Sequence, residues 1–181
     1  MQVYYKSVMD LIKKYYANPN IAKWATYHSQ HRGGEGFLAD IQDGVAYQHL
    51  MQTDNRFREE PRNLMFSMVT DGVQPWKDNT YSIWPIVITP LNFPPSQRYT
   101  LGLTSLVTVV PGTRMAGDDM QQTTDGQQPK KKKGKGINLH SVMDILVDEF
   151  RVLDTKGISV WDSASRVFFT CYARILQVGG H

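Results

Sequence analysis

Residues 64–69 carry the plainest pattern in the chain, with Leu64, Phe66 and Met68 alternating with Met65, Ser67 and Val69. That period of two predicts a strand with one well-buried face. Asp71-Gly72 breaks the alternation, so the Asp71 carboxylate is expected at the strand's carboxyl end. Residues 81–89 are aromatic and β-branched and predict a second strand. Pro85 cannot donate to a ladder there, which predicts an edge position or a bulge. In residues 100–110, Leu101, Leu103, Ser105, Val107 and Val109 alternate with Gly102, Thr104, Leu106, Thr108 and Val110. Both sets are mostly apolar or small, so a third strand covered on both faces is expected. Three strands joined by short connections read as an antiparallel meander.

Helical spacing dominates the flanks. Val3, Ser7, Val8, Leu11, Ile12 and Tyr15 share one face, with Lys6, Asp10, Lys13 and Lys14 opposite, which predicts an amphipathic first helix. Asn18 as cap and Pro19 at the first position start a second, whose stripe of Ile21, Trp24, Ala25 and His28 ends near Gly33-Gly34. Residues 40–50 read as a turn followed by a short helix. Past the middle of the chain, Val142, Ile145, Leu146, Glu149, Phe150 and Leu153 recur at helical spacing between an Asn138 cap and Gly157. A short extended piece at 158–161 and a further strand at 167–178 complete the pattern, although Ala173-Arg174-Ile175-Leu176 would also suit a helix. The expected class is α+β, with a helical segment over 1–60 and a sheet-bearing part over 61–181.

Composition sharpens this picture at a few points. With 181 residues, 41% of them hydrophobic, the chain can bury a core. Formal net charge is +3, and Lys130, Lys131, Lys132 and Lys133 contribute four positive charges, so the remainder is nearly neutral. These lysines lie in the polar run AGDDMQQTTDGQQPKKKKGKG, which cannot bury enough apolar surface to order itself and predicts a disordered basic insertion at about 113–136. They read as a nuclear-localisation signal, a DNA-binding arm that contacts phosphates, or simply a solvated loop. Asp118 and Asp119 share that run and are not taken as metal ligands. A lone cysteine, Cys171, excludes an internal disulfide and CxxC-type zinc modules, and reads as a core residue in a reducing compartment. His28 and His31 have a spacing that can suit metal, but no cysteine or strong acid beside them in sequence completes a site, so they read as surface or capping residues. No stretch approaches the ~18 apolar residues of a membrane span and the start lacks a signal-peptide layout, so no membrane partner is expected and the chain reads as intracellular.

Asp71 carries the candidate chemistry. Ligands collect at the carboxyl edge of open sheets, and a carboxylate there can hold a hard cation such as Mg2+ through oxygen. The plainer alternative is a turn in which the Asp bonds its own backbone.

Three blocks bear on that choice: Asp71-Gly72-Val73-Gln74-Pro75, then Tyr81-Ser82-Ile83-Trp84-Pro85-Ile86-Val87, then Asn92-Phe93-Pro94-Pro95. In order and spacing they resemble the catalytic-domain signature of transposases of CACTA-type (En/Spm-like) DNA transposons. Asp40-Ile41-Gln42-Asp43-Gly44 and Trp161-Asp162-Ser163-Ala164-Ser165 resemble further elements of that family. The resemblance implies an RNase H-like domain of three-stranded meander, helix and further strand. It also implies that Asp71 is the first residue of an acidic catalytic triad and a ligand of Mg2+ or Mn2+, in DNA strand cleavage and transfer. Transposon-end DNA, self-association and a nuclear location follow from it as expectations. The polar run after Pro111-Gly112 departs from the family pattern, which has a longer acidic helix there. In the family, the strand matching residues 167–178 runs into a second catalytic Asp, and this sequence stops at His181 where that Asp is due. Two-metal chemistry needs several carboxylates, so the chain is expected to be the N-terminal part of such a domain and inactive as it stands. A noncatalytic DNA- or protein-binding remnant is the alternative, and an α+β protein with no nucleic-acid role is the third reading.

Overall fold

The computed structural model describes residues 4–34, 37–74, 82–100, 102–111 and 139–180. It is a mixed α+β fold in which N-terminal helices precede a mixed sheet. Helix α1 (Val8–Ala17) is capped by Ser7, whose side chain accepts from the Asp10 N–H. Asn18 caps α2 (Pro19–Trp24), accepting from the N–H groups of Asn20 and Ile21. The single helix expected there is broken after Trp24, and α3 (Tyr27–Gln30) follows. A 3-10 turn at Ile41–Asp43 leads into α4 (Val45–Thr53), and α5 (Asn55–Glu59) follows it.

Strands β1 (Leu64–Thr70) and β2 (Ile83–Pro90) come next, then the short α6 (Pro95–Arg98) and β3 (Ser105–Pro111). The third strand is therefore shorter than its alternation suggested. Pro94-Pro95 starts α6, and Gly102 turns the chain at φ 99°, so the ladder begins only at Ser105. The long α7 (Leu139–Thr155) ends at Gly157, held at φ 66°. A side chain at Gly157 would meet Thr170 and the Cys171 carbonyl at 2.7 and 3.0 Å, so both backbone and packing require glycine. Strands β4 (Ile158–Asp162), β5 (Val167–Cys171) and β6 (Ala173–Gly179) complete the fold.

Four strands form one sheet in the order β3-β2-β1-β6, and β4 with β5 forms a separate hairpin. The meander β1-β2-β3 is antiparallel, whereas β6 runs parallel to β1. The one strand expected over 167–178 is thus two, with Tyr172 between them. Asn63 explains the break: its side chain accepts from the Tyr172 N–H at 2.8 Å and donates to the Arg56 carbonyl, pulling the chain off the hairpin and onto β1. Asn63 is 1% exposed, so neither bond competes with water.

One sheet face packs Leu64, Phe66, Met68, Ile86 and Ile88 against α1 and α7. From α1 come Val8, Leu11, Ile12, Tyr15 and Tyr16, and from α7 come Val142, Leu146, Phe150 and Leu153. Each such side chain contributes roughly 1.5–3 kcal/mol on burial. Ile145, expected on the buried stripe, is 53% exposed. Cys171 is in this core, as its solitary status suggested. Among the described residues, cover on the other sheet face lies near the start of β1, where Met65 packs with Tyr47, Leu50, Phe57 and Leu91. Toward the end of β1 that face is open, leaving Val69 and Leu106 half-exposed, so cover of β3 on both faces is not observed.

Candidate functional site

Asp71 follows the last residue of β1 and is exposed. Its Oδ1 accepts from the Gly72 N–H at 2.7 Å, the local bond that an Asp-Gly turn predicts. β6 ends beside it, because the parallel register pairs Val69 with Gly179. The approach at Gly180 is close: a Cβ there would lie 2.0 Å from the Thr70 carbonyl oxygen, and φ is 148°. Gly180 therefore leaves the sheet against the residue that precedes Asp71.

Pro85 explains why Asp71 is free of the ladder. The β1–β2 register pairs Thr70 with Ile86 and resumes at Val73 with Ile83, which places Asp71 opposite Pro85. Val73 and Ile83 exchange both backbone hydrogen bonds at 2.9 Å. Such pairs recur every second residue, so Asp71 and Pro85 occupy the next bonded position, where the proline has no N–H to give. β2 lies inside the sheet, between β3 and β1, so the expected edge position is not observed. A central proline is tolerated because its missing donor falls just past the end of β1. A register irregularity toward β3 follows at Ile86/Val87, the bulge that was the other expectation. Gly72 then lets Trp84 approach, since a Cβ there would meet its ring at 3.1 Å.

The other blocks of the sequence pattern gather at the opposite end of β1, about 20 Å away for a strand of seven residues. Asn92 is fully buried. It accepts from the Met65 N–H at 2.7 Å and donates to the Asn63 carbonyl at 2.8 Å, while its own carbonyl takes the His28 N–H. Asp40 forms a two-pronged pair with Arg98, at 2.7 and 2.9 Å, and both side chains are at most 5% exposed. Arg98 also donates to the Phe93 carbonyl, and Gln42 to that of Leu91. Asp43 accepts from the N–H groups of Ala39 and Asp40 and from His31, and these bonds hold its carboxyl below the usual range. His31 thus has an acidic partner after all, 12 residues away in sequence. His28 is buried rather than superficial, between the Tyr47 hydroxyl and the Pro61 carbonyl. Burial lowers its pKa, the Pro61 bond opposing in part. These residues brace the fold far from Asp71.

Asp162, in the Trp161–Ser165 element, is likewise structural. It accepts from the Ala164 and Ser165 N–H groups, the Ser165 hydroxyl and Arg62, tying the β4–β5 turn to the start of β1. Glu149 breaks the apolar stripe of α7, and that irregularity was the available signal for its role. Its carboxylate accepts from the N–H groups of Val8 and Met9 and from the hydroxyls of Tyr5 and Ser7, capping α1 from across the molecule. Lys130, Lys131, Lys132 and Lys133 lie outside the described residues, as do Asp118, Asp119, Pro75, Tyr81 and Asn138. Among the described residues no group of three or more His, Cys, Asp or Glu side chains could hold a metal ion, and no helix is long and apolar enough to cross a membrane.

The region that carries both the Asp71 edge and the Asn92 brace decides the comparison with known proteins. Residues 35–124 match the family model described as Transposase family tnp2. The match supports a transposase family. Within the tnp2 match lie the Asp40 turn, β1 with Asp71, β2 with Pro85, the Asn92 brace and β3. No curated protein and no solved structure matches the chain.

Proposed function

We propose that this chain belongs to the catalytic domain of a CACTA-type DNA transposase, with an RNase H-like sheet and Asp71 as the first carboxylate of its site. The supporting observation is the meeting of two parallel strand ends: Asp71 leaves β1 where Gly179 and Gly180 leave β6. A carboxylate placed just after β6 would face the same solvent as Asp71, the separation of ligands by strand that two-ion cleavage requires. The strand order β3-β2-β1-β6, with only β6 parallel to β1, agrees with that reading.

The described residues do not by themselves fit Mg2+ or Mn2+. Asp71 is one carboxylate, one of its oxygens is engaged by Gly72, and no further ligating side chains are grouped with it. No reaction step is therefore derived through a metal. What these residues do is hold the first carboxylate at an open edge, on a strand braced at its far end by Asn92 and Asn63.

Nicking of supercoiled plasmid with Mg2+ tests the proposal. The 181-residue chain is expected to leave the plasmid intact. A chimera that continues β6 with the acidic strand end and later helices of an intact relative is expected to nick it, and Asp71→Asn should abolish that activity. Nicking by the chimera that persists in Asp71→Asn removes Asp71 from the site. Plasmid retardation by both proteins without nicking by either would favour the noncatalytic remnant, and failure to retard DNA at low salt would favour no nucleic-acid role.

A further inference from the structure

The β4–β5 hairpin presents an aromatic surface that its folding does not use. Trp161 and Phe168 stand directly opposite each other, with ring centroids 5.0 Å apart and planes tilted by 57°. They are 43% and 70% exposed. Behind them the hairpin is firmly held: Val160 and Cys171 are in the core, Ser163 donates to the Tyr16 carbonyl at 2.7 Å, and Arg62 lies 4.0 Å over the Phe169 ring. The outward rings therefore ride on a fixed backing.

Along the hairpin segment itself the exposed charge has one sign. From residue 156 to residue 180 the exposed charged side chains are Lys156 and Arg166, one just before β4 and one in the turn before β5. Neither forms an ion pair among the described residues. The hairpin's carboxylate, Asp162, is 3% exposed and turned to Arg62. Cations at both ends of a strand roughly 17 Å long, rings between them and no exposed acid within residues 156–180 suit a polyanion that offers flat apolar faces. Single-stranded nucleic acid is such a polyanion, whereas a duplex hides its base faces in the stack.

We propose that Trp161 and Phe168 form a stacking platform for unpaired bases of single-stranded DNA, with Lys156 and Arg166 contacting the flanking phosphates. The inference rests on the DNA-acting reading above for its choice of DNA, but it uses residues that take no part in the Asp71 edge.

Fluorescence anisotropy at low salt, with a labelled oligothymidylate and a labelled duplex of equal length, provides the test. The parent chain is expected to bind the oligothymidylate, and Trp161→Ala with Phe168→Ala to bind it roughly 10- to 100-fold more weakly with duplex affinity unchanged. Phe168→Ser alone, at the more exposed ring, should cost roughly 5- to 10-fold and keeps the assay informative if the double variant fails to fold. Lys156→Gln with Arg166→Gln should reduce the slope of log affinity against log salt by about 0.7 for each phosphate that is no longer neutralised. Unchanged oligothymidylate binding in a folded Phe168→Ser variant overturns the platform while leaving the DNA-acting reading in place. Absence of binding to either DNA by the parent overturns both. If the substitutions instead dissociate a dimer in sedimentation and leave DNA affinity alone, the surface is a protein interface and the inference fails.

Discussion

Replacing Glu149 by alanine should be among the most damaging single changes in this chain, although the residue sits on a helix with an exposed polar face. Its carboxylate accepts four hydrogen bonds at the start of α1, two from the backbone N–H groups of Val8 and Met9 at 3.0 and 2.9 Å and two from Tyr5 and Ser7. Charge-assisted bonds of this kind contribute about 1.5–3 kcal/mol each where desolvated, and a charge at a helix N-terminus about 0.3–1 kcal/mol. Glu149 is only partly buried, so water replaces some of what is lost, and about 2–4 kcal/mol is expected for Glu149→Ala. For a chain of this size that is a fall in Tm of very roughly 4–16 °C. Glu149→Gln retains one acceptor and should lose about half as much. Burial alone would raise the Glu149 pKa, but the bonds from Met9, Ser7, Tyr5 and Val8 outweigh it and the net shift is downward. A carboxyl depressed in the folded state stabilises fully above its unfolded value of about 4.3, and that stabilisation fades as pH falls through the folded value. Urea unfolding of parent and Glu149→Gln between pH 7 and pH 3 should therefore show a gap that closes at the acid end. A gap below about 0.5 kcal/mol at pH 7, or one that stays constant to pH 3, would refute the capping argument.

Three further outcomes are expected. Asp40→Ala strands the buried Arg98 guanidinium and should cost about 3–5 kcal/mol, whereas replacing both residues by apolar ones of similar volume should cost much less; a double-mutant cycle in urea measures the difference. Gly180→Ala places a methyl group against the Thr70 carbonyl and should detach the last residues of β6, seen as faster amide exchange at Val178 and Gly179 with little change in global stability. Changing Lys130, Lys131, Lys132 and Lys133 to alanine should leave Tm unaltered and reduce both DNA affinity and its salt slope, and an unchanged slope would rule out a phosphate-contacting arm.

The sheet was legible where a residue's neighbours in sequence set its environment. Leu64, Phe66 and Met68 announced β1 because one face of that strand is wholly buried, and Asn18-Pro19 announced α2 because a cap acts within one turn. What sequence hid were choices made by distant side chains. Nothing near Tyr172 says that Asn63 will take its N–H and split one strand into two. Nothing near Pro85 says that β1 will end just before the proline needs a donor, so of the two expectations, edge or bulge, the strand is central and the irregularity falls at Ile86/Val87. For the site, the sequence located Asp71 at a strand end, and the structure adds the neighbour: the closing residues of β6, more than 100 positions later. His31 read as unpartnered because Asp43 reaches it only after the chain turns at Ile41–Asp43.

The cap on α1 has a consequence for synthesis at the ribosome. α1 is made before α7 and β4, yet its N-terminus is capped by Glu149 and its Tyr16 carbonyl is taken by Ser163. At about 5–20 residues per second, the roughly 130 residues between the end of α1 and Glu149 take about 7–26 s to translate. During that interval Leu11, Ile12, Tyr15 and Tyr16 have no α7 or β4 to pack against. A helix of ten residues is marginal in water without such packing. The growing polypeptide thus carries an adhesive aromatic-aliphatic stretch until β4 emerges, so α1 locks in only once elements more than 120 residues further along have been made.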